Sequence, residues 1–149
     1  MKRTLLMLAM PVLIAACEIG PRDDDAAREA AEIWASAYFN CDFHTAADYA
    51  TAESGKWLRF AASNTSESDL QVLQDAGGAG VSVSDYFPVA NDTLRVVELT
   101  VSRFLAPVAI GEPPHLDDEA SFHVTVVLRD NRWKVRMEGL PRSEKQSRD

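Results

Sequence analysis

Residues 121–139 read SFHVTVVLRDNRWKVRMEG, and this stretch decides the fold. Asp130-Asn131 is a two-residue turn signal, because both residue types tolerate the positive φ that tight hairpins need. A turn there pairs Leu128 with Trp133, Val126 with Val135 and Val124 with Met137 on one face. His123 then faces Glu138, Thr125 faces Arg136, and Val127 faces Lys134 on the other. The apolar residues of both strands land together, which fixes the register and gives the hairpin one buried side.

Going back along the chain, residues 107–118 hold three prolines and read as a loop. Residues 94–105 carry apolar side chains at both parities (Val96 and Phe104; Val97, Leu99 and Val101), the pattern of a central strand. Asn91-Asp92 is a turn. From Val81 to Val89 apolar and polar residues alternate, so a further strand follows Gly80, with Val83, Asp85 and Phe87 on the inward parity. Upstream of Gly77-Gly78 the period becomes helical. Ser66 to Asp69 has the spacing of a capping box, ahead of inward Leu70 and Leu73. Trp57, Phe60 and Ala61 share one helical face, and Asp42 caps a short helix near residues 43–51. Residues 23–40 form a longer helix whose stripe is Ala26, Ala27, Ala30, Ala31, Ile33, Trp34, Ala37 and Tyr38. Helices first and an antiparallel sheet after them make an α+β fold.

The chain has 149 residues, 46% of them hydrophobic, and a formal net charge of −8. That suits one globular domain over residues 23–140 and argues against a nucleic-acid partner, which needs a basic footprint. The polar residues 141–149 read as a flexible tail. No zinc-ligand spacing, phosphate loop or nucleophile elbow occurs, so no cofactor and no metal is expected. His115-Leu116-Asp117-Asp118-Glu119 reads as a solvated acidic loop.

The N-terminus is an address. Lys2 and Arg3 precede an apolar run over residues 5–16, too short to span a bilayer comfortably. It closes with Ile14-Ala15-Ala16-Cys17, which resembles a bacterial lipobox. The resemblance implies a signal peptide over residues 1–16, cleavage before Cys17, lipidation of Cys17 and a tether over residues 17–22. Membrane attachment would follow through that anchor. Glu18 departs from the aspartate of the inner-membrane retention rule, which points to the outer membrane, facing the periplasm or the cell surface. The alternative is an unlipidated secreted form with a Cys17–Cys41 bridge.

Ala30-Ala31-Glu32-Ile33-Trp34, residues 38–49 (YFNCDFHTAADY) and residues 129–135 (RDNRWKV) resemble the nuclear-transport-factor-2-like and cystatin-like superfamily, and in particular small bacterial lumazine-binding-like lipoproteins. The resemblance implies a cone-shaped domain with N-terminal helices packed on a curved antiparallel sheet. It also implies a pocket between helix and sheet, with Tyr38, Tyr49, Asp85 and Phe87 as candidates for its lining. Two readings follow. One is a non-catalytic binding or interaction module for a small apolar ligand or an envelope partner. The alternative is an isomerase-like or cyclase-like enzyme using an acidic base such as Asp85. A bulge that turns Asp85 to solvent is the plainer account of that residue. The outer sheet face, with His123, Lys134, Arg136 and Glu138, is a candidate surface for a homodimer or an envelope protein.

Overall fold

The computed structural model describes residues 22–89 and 91–146. The expected signal peptide, Cys17 and the expected tether as far as residue 21 therefore lie outside the described residues, and Arg22, expected to end the tether, opens the first helix.

Helix α1 (Arg22–Phe39) crosses all four strands of the sheet. Its buried stripe is Ala27, Ala30, Ala31, Trp34, Ala35, Ala37 and Phe39. Alanine lets the backbone of the helix approach the sheet closely, and Trp34 fills the space beneath it. Ala26, expected inward, is exposed. The stripe runs instead towards Ala35 and Phe39, because Phe39 packs against Phe104 and Phe122 at 5.9 and 4.8 Å between ring centroids. At the other end the Asp24 carboxylate accepts hydrogen bonds from the Tyr86 hydroxyl and from Arg95 Nε (3.1 Å). These bonds hold the Asp24 carboxyl below its usual range, the Tyr86 contact contributing most.

Three short helices follow. In α2 (Phe43–Asp48) the Asp42 carboxylate accepts from the Thr45 amide at 3.1 Å, as a helix cap should. A 3-10 turn (Ala52–Ser54) leads into α3 (Gly55–Ser63). Helix α4 (Glu67–Asp75) opens with the expected capping box: Ser66 Oγ accepts from the Asp69 amide at 3.2 Å, and Asp69 accepts from the Ser66 amide at 2.7 Å. Gly77 and Gly78 end it at φ 79° and 85°, where a side chain would be strained. Phe60 and Leu70, expected inward, are exposed. In α3 Leu58 is the buried residue instead, and in α4 Leu73 is buried as expected.

The sheet is an antiparallel meander in the order β1 (Gly80–Pro88), β2 (Leu94–Leu105), β3 (Leu116–Arg129) and β4 (Arg132–Arg136). Asp130 and Asn131 make the hairpin turn at φ 49° and 63°, and Leu128↔Trp133, Val126↔Val135 and Thr125↔Arg136 pair as the sequence requires. The core lies between α1 and the inner face, where Val97, Leu99, Val101, Val126 and Val135 are almost wholly buried.

Two local irregularities change which side chains face inward. The register of β1 against β2 shifts between Val83 and Asp85, so one extra residue is inserted near Ser84. Beyond it Tyr86 takes the inward place opposite Val97, and Asp85 and Phe87 turn to the outer face opposite Glu98 and Val96. The inward parity expected for Asp85 and Phe87 is thus reversed. In β2, Arg103 adopts φ 54°, and Phe104 then joins the inner aromatic cluster despite its outer parity.

Candidate functional site

Strand β4 stops at Arg136, while β3 runs on beside it. Residues 137–142 leave the sheet. The chain then returns to the same edge, with Ser143 bridged to Phe122 and the Glu144 amide donating to Ser121 O at 3.1 Å. Of the residues expected to form a tail, Ser143 and Glu144 thus lie against β3, and the Gln146 amide donates locally to Ser143 O at 3.0 Å.

Between departure and return lies a cleft of about 1200 Å³. Its floor is Trp34 from α1, Val124 from β3, Val135 from β4 and Met137. Trp57 and Phe60 of α3 also line it, as do the polar side chains of His123, Thr125, Arg136, Glu138, Arg142, Glu144 and Gln146. Phe60 is 52% exposed here, which accounts for a large aromatic ring left outside the core. Two buried donors among the lining residues, Trp34 Nε1 and Arg136 Nε, find no acceptor among the described residues.

The wall is held in place by a small buried hydroxyl network. Val135 N donates to Tyr49 O at 2.8 Å and Thr51 N to Val135 O at 2.9 Å, so the segment after α2 covers the outer edge of β4. Ser54 Oγ accepts from the Met137 amide at 2.8 Å and shares a 2.7 Å hydrogen bond with Thr51 Oγ1. Helix α3 starts one residue later.

None of the four pocket candidates lines this cleft. Tyr38 stacks on Trp34 at 5.1 Å and meets Phe39 and Phe43 edge-on. Burial, with a smaller contribution from nearby Cys41, pushes its hydroxyl up to about 12, so it stays protonated. Tyr49 packs against the core and its carbonyl holds the β4 edge. Asp85 is exposed and accepts from the Tyr86 amide at 2.7 Å. Phe87 is 41% exposed and lies 5.8 Å from the His123 ring on the outer face. Cys41 is a free thiol whose pKa is raised chiefly by burial, which works against a nucleophilic thiolate.

On the outer face His123 does not meet Glu138, because β4 ends before that pairing can form. His123 Nε2 lies 3.1 Å from Glu98 and 3.8 Å from Glu144, and Glu138 pairs with Arg136 at 3.2 Å. Glu98 and Glu144 carried no signal in the sequence. Their approach depends on the β2–β3 register across a long loop and on the return of the C-terminal segment.

No family model matches this sequence, and no curated protein does. Among solved structures, the chain is similar to an uncharacterized cystatin fold protein from Novosphingobium aromaticivorans, at 16% identity and TM-score 0.44, over 74% of this chain and 96% of that one. It is also similar to an Ntf2 like protein involved in plasmid conjugation, at 16% identity and TM-score 0.38, over 81% of this chain. Only 48% of that second protein is spanned. Neither similarity concerns lumazine binding.

Proposed function

We propose that this chain is a non-catalytic binding module whose cleft takes a small apolar ligand carrying an acceptor oxygen. The observation that carries the reading is the aromatic lining of this cleft, Trp57 and the 52% exposed Phe60, beside the Arg136 and Arg142 guanidinium groups. A guanidinium there would meet an acceptor oxygen of the ligand with a charge-assisted hydrogen bond while the rings cover its apolar body. Asp85, on which the isomerase-like or cyclase-like alternative rests, is exposed on the outer face of the sheet and does not line the cleft.

The probe is 1-anilinonaphthalene-8-sulfonate, an aromatic body with an anionic acceptor group. It should bind the full chain saturably at one site and quench tryptophan emission. Trp57→Ala and Arg136→Met should each weaken binding by about fivefold or more, the equivalent of one lost contact. Unchanged affinity in both would overturn the cleft. A second reading, a partner surface on the outer face, is favoured by the exposed Phe87 ring there. Probe binding that survives both cleft variants and disappears in Phe87→Ser would select it.

The domain is further proposed to be a lipoprotein of the bacterial outer membrane, lipid-anchored at Cys17. The support is the lipobox-like run and the basic residues before it. Intact-mass measurement of the membrane-extracted protein should give a chain starting at Cys17 with added acyl mass. An unmodified Cys17 would remove the anchor.

A further inference from the structure

We infer that Glu98, His123 and Glu144 form a binding site for a divalent transition metal, with Zn²⁺ the expected ion. The three residues come from β2, β3 and the C-terminal segment, and their ligand atoms all lie within 4.8 Å of one another. A tetrahedral ion with bonds of about 2.0–2.2 Å sets its ligands roughly 3.4 Å apart. The two separations from His123 Nε2, 3.1 Å to Glu98 and 3.8 Å to Glu144, bracket that value. The side chain of Glu144 is 43% exposed, so it can rotate to close the remaining gap.

The backbone presents these groups ready placed. Glu98 and His123 are directly opposed in the β2–β3 register, and the Glu144 amide is tied to Ser121. Ser84, at the bulge of β1, donates to Glu98 Oε1 at 3.1 Å and leaves Oε2 directed at His123. An outer hydrogen bond of this kind orients a metal-ligating carboxylate. Asp85 stands opposite Glu98 on the next strand and adds negative charge. Phe87 packs beside the imidazole and limits its motion. One nitrogen and two carboxylate oxygens with positions left for water suit Zn²⁺ better than Ca²⁺ or Mg²⁺, which prefer oxygen alone. The ion would join the C-terminal segment to the sheet.

Zn²⁺ alone, titrated calorimetrically into the full chain, should bind at one equivalent and resist competition by excess Ca²⁺. His123→Gln should abolish binding, and Glu144→Gln should weaken it by about tenfold or more. Zn²⁺ should also slow amide exchange at residues 143–146. On the unmodified chain, the side-chain ¹⁵N resonances of His123 should move while those of His44 and His115 stay, a readout that needs no variant to fold. Absence of saturable binding, or binding unchanged in His123→Gln or in Glu144→Gln, would overturn the three-ligand site.

Discussion

Trp34→Ala is expected to lower the unfolding free energy by about 3–5 kcal/mol. The side chain is 1% exposed, stacks on Tyr38 and belongs to the main core cluster. Its buried neighbours on α1 are alanines, which have no rotamers with which to fill a void. The loss is large against the 5–15 kcal/mol that domains of this size possess. Urea denaturation with an unchanged m-value would measure it. Trp34→Phe separates the two parts of the indole. It keeps most of the apolar volume and deletes an N–H that has no partner among the described residues, so it should cost about 1–2 kcal/mol. A loss below about 1 kcal/mol for Trp34→Ala would mean that the helix reaches the sheet without it.

How far the sequence could be read depended on the range of the interaction that decides each element. Asp130-Asn131 specifies its turn within two residues, and the register of the hairpin follows from it. The cap at Asp42, the box at Ser66 and Asp69 and the stop at Gly77-Gly78 are equally local. The stripe on α1 was legible because a helix repeats its face every few residues, although its last turn was not. Ala35 and Phe39 are buried by what lies beneath them, and Phe104 reaches that place only because Arg103 has a positive φ.

The bulge in β1 shows the same limit at a candidate site. The run from Val81 to Phe87 alternates without a break, and nothing in it marks Ser84 as an extra residue. One insertion exchanged the faces of Tyr86 and Phe87 and moved Asp85 to the outer surface. The one warning was chemical: a carboxylate on an inward parity has to be paired or misplaced. The cleft and the Glu98–His123–Glu144 cluster were out of reach for a different reason. Each is built from segments far apart in the chain, and their meeting depends on a polar C-terminal segment that carries no period of its own.

Ser54 tests whether that long-range assembly is held by the buried hydroxyls. In sequence, residues 51–54 look like a polar link between helices. In the structure Ser54 is 0% exposed, and its Oγ is the acceptor for the Met137 amide just past the end of β4. Ser54→Ala removes few apolar contacts but leaves that amide buried without a partner, so it should cost about 1–3 kcal/mol. Thr51→Val, nearly equal in volume, removes the 2.7 Å bond between the hydroxyls and leaves the Met137 amide satisfied. It should cost less, about 1 kcal/mol. The double variant should fall short of the sum, because both changes break the same bond. Amide exchange at Met137 should accelerate in Ser54→Ala and not in Thr51→Val. Since α3 begins directly after Ser54 and carries Trp57 and Phe60, which line the cleft, affinity for the anilinonaphthalene probe should fall in Ser54→Ala as well. Equal costs for the two single variants, with Met137 still protected, would show that backbone pairing between Thr51 and Val135 holds the wall without help from Ser54.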